Sequence, residues 1–464
     1  MTTINAGSIT ANSLNPSTSF VVNSGGQLYG GWQIPGAIFT NTLTLSGTGY
    51  LEGGINNGAL RASNNQTFSG PTTLAADSRI SMIEATGACT FSGQITGGFA
   101  LDVQGSFTGN AGTQTFTLAN TGTASDYSGN TSISAADFGA ARTGVTTILR
   151  LGASDQLPNG TDKGNVVFNG ADANHLTILE LNGFNETING LSNTAAASAI
   201  IRNTTTGTSV LTIGDADTTS TFSGAITNST GTLAITKIGT GSLTLSGANT
   251  YGGNTTVNAG TLTLSNATDP LNANPGNDAS TVAIAATGAT LDLTYTGTDK
   301  VGKLVIGTTQ LAAGVYGRTG SVLPVIGIAE ITGDGTLTVG AFSSWITGTF
   351  ANGAVPLGQR GPNNDPDNDG LNNLLEYAIA GQDPTVGNAA GGSFTANTLS
   401  FTKRADTTGL TYAIVESTDV GVTVPWTEVP AGPSYTNNAT TISYTLTPGT
   451  PVKNFIRLRV IAAP

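Results

Sequence analysis

Short words recur along this 464-residue chain, and they restrict its fold more than any other feature. Thr-Phe-Ser-Gly stands at 67–70, 90–93 and 221–224. Leu-Thr-Leu-Ser-Gly stands at 43–47 and 243–247, with a shorter echo at 262–265. Tyr127-Ser128-Gly129-Asn130-Thr131 matches Tyr251-Gly252-Gly253-Asn254-Thr255. Neighbouring copies are offset by about 19 to 23 residues, a period that belongs to solenoids.

Each copy reads as a short alternating strand, a Gly or Asn turn, and another strand. In Leu243-Thr244-Leu245 the leucines share one face and the threonine takes the other. A single coil of this kind cannot bury its apolar face, but stacked coils form a continuous core with threonine outside. Composition agrees: glycine fills 64 positions, threonine is commoner still, and only 9% of residues are charged. Threonine and valine favour pleated strands, while glycine and asparagine favour turns. The expected fold class is therefore all-β, with a right-handed parallel β-helix over residues 1–340.

Part of this region is similar to a known repeat. Lys237-Ile238-Gly239-Thr240-Gly241-Ser242-Leu243-Thr244-Leu245-Ser246-Gly247-Ala248-Asn249-Thr250-Tyr251, followed by Thr255-Thr256-Val257-Asn258-Ala259-Gly260-Thr261-Leu262, closely resembles the autotransporter-associated β-strand repeat. Leu151–Pro158 and Leu181–Leu191 look like its usual preceding coils. The resemblance covers about 145–340 well and 1–145 loosely. It implies a passenger-like protein, secreted or on the cell surface, and no particular reaction. No terminal membrane β-barrel is read here, so it also implies another export route.

Several function classes fall on composition. Lys+Arg 16 against Asp+Glu 28 leaves a net charge of −12, so the basic face that nucleic acid needs is missing. One histidine, His175, and one cysteine, Cys89, exclude His/Cys metal sites and disulfide frameworks. No run of 18 apolar residues exists, so no transmembrane helical segment is expected. The opening Met1-Thr2-Thr3-Ile4-Asn5-Ala6-Gly7 lacks the basic and apolar regions of a signal peptide, so the export signal is expected to be missing from this sequence.

The composition changes after Gly340, where 341–350 predicts a short serine-capped helix. Asp365-Pro366-Asp367-Asn368-Asp369-Gly370-Leu371-Asn372-Asn373-Leu374-Leu375-Glu376 then fits a twelve-position calcium loop. Carboxylates stand at positions 1, 3 and 5, glycine at 6 and glutamate at 12. A hard cation takes six to eight oxygens, and alternate residues of a tight loop can aim theirs inward. Asp365, Asp367 and Asp369 would supply carboxylates and Leu371 its carbonyl. Asn373 would bind through water or directly, and Glu376 would close the site around Ca2+. A helix is predicted over 372–380, with Leu374, Leu375 and Tyr377 packing, Gly381 as its cap and Pro384 beyond. The segment also resembles a module that often follows such β-helices, which implies a structural calcium-bound connector.

The domain reading is thus a β-helix at 1–340, a helix-loop-helix calcium connector at 341–390 and a small β-sandwich at 391–464. Four alternating runs, at 399–402, 410–416, 441–446 and 455–460, carry the sandwich. Tyr412, Trp426 and Phe455 are assigned to its core.

Catalysis is not expected. Hydrolysis needs two opposed carboxylates, and lyase chemistry needs a base with charge neutralisation. Asp215 with Asp217, Asp172 near His175, and Asp334 each read better as solvated loop residues. His175 reads as a strand-end surface residue and Cys89 as a small buried one. Basic residues are thinly scattered, so no clamp for acidic sugars is visible. The expected function is structural or adhesive, outside the cell or on its surface, with glycans or cell-surface polymers as partners. The alternatives are a fibre subunit that stacks end to end through the β-helix ends, a homo-polymer, and a polysaccharide-active enzyme.

Overall fold

The computed structural model describes residues 1–11, 17–31, 34–52, 54–82, 84–105, 112–135, 144–266, 280–311, 314–321, 325–339, 371–379, 392–395, 397–404, 410–417, 426–430, 432–445 and 455–462. The chain is nearly all β, and helix among the described residues amounts to two 3-10 turns and one short α-helix. It divides into two compact units. The first holds 1–299, 305–308 and 330–335, and the second holds 300–304, 309–329 and 336–464.

In the first unit, sequence-distant strands pair in parallel. One sheet runs from Thr2–Ile4 through Phe20–Val22, Leu43–Gly47, Thr72–Met82, Leu101–Gly105, Thr131–Ala135 and Val166–Asn169 to Leu191–Asn193. A second joins Ile38–Phe39, Gln66–Phe68, Gly87–Phe91, Gly112–Leu118, Val145–Leu151, His175–Glu180, Ala199–Asn203 and Ala225–Asn228. A third takes Glu186–Ile188, Thr208–Ile213, Thr232–Lys237, Thr255–Val257 and Thr281–Ile284. A fourth takes Ser220–Phe222, Ser242–Leu245, Gly260–Leu264, Ala289–Leu293 and Ile331–Gly333. Parallel pairs cannot be joined by a tight hairpin, so the chain travels around other sheets before it returns to the same one.

The recurring words are neighbours in these ladders. Thr67 pairs with Thr90 and Phe68 with Phe91. The rings of Phe39, Phe68 and Phe91 stack at 5.0 and 5.1 Å between centroids. The glycine that ends each word has a packing reason: a Cβ on Gly93 would overlap the carbonyl oxygen of Gly70, and one on Gly247 that of Gly224. The alternation also holds, because Leu243, Leu245, Leu262, Leu264, Leu291 and Leu293 are all buried. Truncating one stacked phenylalanine to alanine would cost about 3–5 kcal/mol through lost transfer and an unfilled cavity.

The offset between paired strands is less regular than 19 to 23 residues. Thr2 pairs with Phe20, whereas Thr131 pairs with Val166. Loops at the corners lengthen without disturbing the ladders, since loop closure grows slowly with length. Buried side-chain amides bind those corners across neighbouring segments. Gln27 Nε2 donates to the carbonyls of Asn57 and Gly58 at 3.0 and 3.1 Å, and Asn189 Nδ2 to those of Gly160 and Lys163 at 2.9 and 2.8 Å. One antiparallel hairpin, Leu51–Glu52 with Ile55–Asn56, interrupts the pattern.

In the second unit, Gly314–Arg318 runs antiparallel to Thr336–Val339 and parallel to Ile326–Ile328, so pairing there is mixed. Two antiparallel sheets follow. One orders Gly392–Thr395, Thr398–Thr402, Thr441–Thr445 and Tyr435–Asn437; the other orders Thr427–Glu428, Leu410–Ser417 and Phe455–Ala462. Tyr412, Ile414, Val429, Ile442 and Leu458 form one buried cluster with Ala378 and Ile379. Tyr412 is a core residue, as expected. Trp426 is not: it is half-buried, with the Arg457 guanidinium 4.2 Å from its ring centroid. The side chain of Phe455 lies outside the described residues.

Candidate functional site

The predicted calcium ligands fall on both sides of what the structure describes. Asp365, Asp367 and Asp369 lie outside it, as do the helix expected over 341–350, Gly381 and Pro384. Leu371 leads into the α-helix Asn373–Ala378, and Glu376 sits inside that helix, fully buried. Asn372 caps the helix, its Oδ1 accepting from Leu375 N at 3.0 Å.

This helix is shorter than the expected 372–380. Ile379 N–H makes the last bond, to Leu375 O, and then turns extended to bridge Lys403. The carbonyls left open at its C-terminal end are taken by the strands beside it. Arg404 Nε donates to Tyr377 O at 2.9 Å, and Tyr412 Oη and Arg404 N donate to Ala378 O at 2.9 and 3.0 Å. With Ala378 and Ile379 in the core cluster, the helix is part of the antiparallel domain rather than an appendage.

The acidic residues weighed as catalysts do structural work. Asp217 follows Ala216 in a left-handed turn and accepts Thr240 N at 2.6 Å from the next coil. That bond holds its carboxyl below the usual range. Asp215 accepts only the adjacent Ala216 N, at 3.2 Å. Asp172 Oδ1 meets His175 Nδ1 at 2.8 Å, and this partner lowers the carboxyl likewise. His175 begins its strand, as expected, but it is buried rather than superficial. Its place opposite Val145 in the ladder carries it under the neighbouring coil. Asp334 is exposed. Cys89 is buried, and burial pushes its thiol up, away from reactivity. Among the described residues no group of three His, Cys, Asp or Glu side chains could hold a metal.

Buried ionisable groups escaped the sequence reading, Lys237 and Glu186 among them. Lys237 is completely buried, and its ammonium donates to the carbonyls of Ile238, Gly239 and Ala259 at 2.6, 2.8 and 3.3 Å. Burial lowers its pKa, opposed by the nearby Asp217. Glu186 accepts the backbone N–H groups of Gln156, Leu157 and Thr187 at 2.8, 3.3 and 3.2 Å. Burial outweighs those donors and pushes its carboxyl up to about 8. Lys237 lies in the word Lys-Ile-Gly-Thr-Gly, whose residue types alone give no sign that its ammonium is buried.

Outward positions line up as rows. Thr187, Thr212, Thr236 and Thr256 are in register on the third sheet. On the fourth, Thr221, Thr244, Thr263, Asp292 and Thr332 form one row, and Ser242, Thr261 and Thr290 a second beside it. Asp292 accepts the hydroxyls of Thr263 and Thr332 at 3.2 and 2.7 Å. Strands about 4.8 Å apart thus display hydroxyl and methyl groups at a fixed pitch. β-Branched side chains hold that display stiffly. Such a surface offers contact and hydrogen bonding.

Comparison with known proteins agrees with this picture. Residues 235–264, which contain Lys237 and Tyr251, match the family model described as Passenger-associated-transport-repeat. A stretch of 212 residues, 45% of the chain, is 32% identical to the Adhesin BmaC autotransporter of Brucella suis biovar 1 (strain 1330). The chain spans only 5% of that relative's length. No solved structure matches. The chain therefore carries an autotransporter passenger-type repeat and shares sequence with a piece of an adhesin.

Proposed function

We propose that this chain is a non-catalytic, adhesive segment of a secreted or cell-surface protein, whose first unit is a right-handed parallel β-helix. The observation that carries the reading is the registered threonine rows on the outer faces, which repeat one contact chemistry from coil to coil. Parallel ladders between successive coils support the β-helix, and the strong preference of parallel crossovers supports its hand. The similarity to a named adhesin supports a surface role, with glycans or other cell-surface polymers as partners. The engagement of Asp172, Asp217, Glu180 and Glu186 in structural bonds supports the lack of catalysis.

The test is display of the full chain on a non-adherent bacterium, with attachment to glycan-coated surfaces as the readout. Attachment should fall several-fold when Thr236→Lys and Thr256→Lys are combined, because two ammonium groups interrupt the row. Attachment equal to that of an empty display vector sinks the reading.

Calcium belongs to the same proposal. The donor set Asp365, Asp367, Asp369, Leu371, Asn373 and Glu376 suits a hard cation. The complete burial of Glu376 supports it, since a carboxylate at that depth gains from a compensating charge. When bound, the ion would neutralise the acidic loop. The chain's own part is to anchor the closing helix through Arg404 and Tyr412.

A further inference from the structure

The second sheet carries a row of charges that the sequence scatters. Thr117 pairs with Arg150, Arg150 with Glu180, and Glu180 with Arg202. All four are one residue removed from the buried core positions Leu118, Leu149, Leu151, Leu179 and Ile201, so they share the outer face. The two arginines flank a carboxylate, yet the row is not balanced. Glu180 Oε2 takes Arg202 Nε at 2.6 Å, and Oε1 takes both N and Oγ1 of Thr204 at 3.1 Å. Glu180 is buried and turned wholly toward the next coil. Arg150, on its other side, is left over.

The side chain of Arg150 forms no hydrogen bond or ion pair among the described residues, and its Nε is buried without an acceptor. A guanidinium in that position is unusual, because an unmade hydrogen bond to a buried charged group is expensive. The other paired cations of this unit each have their anion: Arg61 with Glu52, Arg79 with Asp102, Lys163 with Asp126 and Arg202 with Glu180. Arg150 is half-buried, so part of its side chain meets solvent. The adjacent outward Thr117 adds a hydroxyl one strand away, at about 4.8 Å.

We infer that Arg150, with Thr117 beside it, is a receptor for an oxyanion, a carboxylate or a sulfate ester borne on an acidic polysaccharide. The planar guanidinium pairs two N–H groups with two oxygens of such a group. The net charge of −12 disfavours a polyanion overall, so the contact is local and salt-sensitive. This inference rests on the adhesive reading for its polymer and names that partner's chemistry. The oxyanion site itself stands on Arg150 alone.

The experiment follows the arginine Nε–H cross-peaks of the full chain by NMR while inorganic sulfate is titrated at constant ionic strength. One cross-peak, missing in Arg150→Met, should shift saturably with sulfate and not with chloride. In a second arm, retention on immobilised alginate and dextran sulfate should exceed retention on neutral dextran. Arg150→Met keeps the apolar stem and should lose that excess at least fivefold, with an unchanged far-ultraviolet spectrum. Arg150→Lys should fall between, having charge without the fork. No saturable shift, or equal retention of the full chain and Arg150→Met, overturns the inference. Saturable sulfate binding without polymer retention means an adventitious ion only, and overturns it too. Loss of cell attachment with polymer retention intact would refute the adhesive reading and leave this site standing.

Discussion

The phenolic oxygen of Tyr251 lies 2.9 Å from the hydroxyl of Thr255, and both residues are buried. The same bond recurs between Tyr127 and Thr131 at 2.6 Å, in the other copy of the word. Burial raises both phenols well above their ordinary range, so they stay neutral and hydrogen-bonded. The Tyr-x-Gly-Asn-Thr word is thus a corner in which a large ring fills the core and its polar tip is satisfied four residues on.

Tyr251→Phe should destabilise the first unit by about 1 kcal/mol, because one buried hydroxyl loses its partner while the ring still packs. Tyr251→Ala should cost about 3–5 kcal/mol through the cavity. Urea denaturation checks both. Equal losses for the two variants would show that the hydroxyl, not the ring, carries the corner.

Lys237→Met should cost about 3 kcal/mol, since it leaves three corner carbonyls without their charged donor. Methionine keeps much of the stem, so the loss reports the ammonium rather than the packing. The urea midpoint is the measurement, and a midpoint within error of the parent contradicts the assignment.

Glu186 sets a pH dependence with a definite sign. Its carboxyl is raised from an ordinary 4.5 to about 8 in the folded chain. The folded state therefore binds this proton more tightly than the unfolded one. Its stabilising contribution is full below about 4.5 and is lost as pH rises through about 8. Thermal midpoints should fall across that window in the parent chain. Glu186→Gln, neutral throughout, should flatten the fall, and an identical slope in both would refute it.

Chelation should lower the melting temperature of the second unit and leave the first unchanged. The coupling runs through the helix Asn373–Ala378, whose Ala378 joins the core while its first turn carries Glu376. Asp367→Ala should remove the response to chelator. Calorimetry with and without calcium is the check, and a persistent response in that variant overturns the ligand set.

Much of the fold was legible because its signals are local and repeated. The alternation of Leu243-Thr244-Leu245 and the Gly at the end of Thr-Phe-Ser-Gly each state a physical requirement within a few residues. One face must be dry, and one corner has no room for a Cβ. The strands at 399–402, 410–416 and 441–446 were readable for the same reason. The charged sites were less so. His175 looks superficial until its pairing with Val145 places it under a coil, and Trp426 looks like core until Arg457 lies over it.

By itself, then, the sequence determined the all-β class, the threonine exterior and the glycine corners, since each follows from residue type at short spacing. Only the tertiary structure decided which distant residues meet. Offsets between paired strands vary along the chain, so no fixed period could reveal that Arg150, Glu180 and Arg202 share a row. Nor could it show that Glu180 turns to Arg202 and leaves Arg150 alone. Register between distant strands is a property of the assembled ladder, and the charges of this chain take their roles from it.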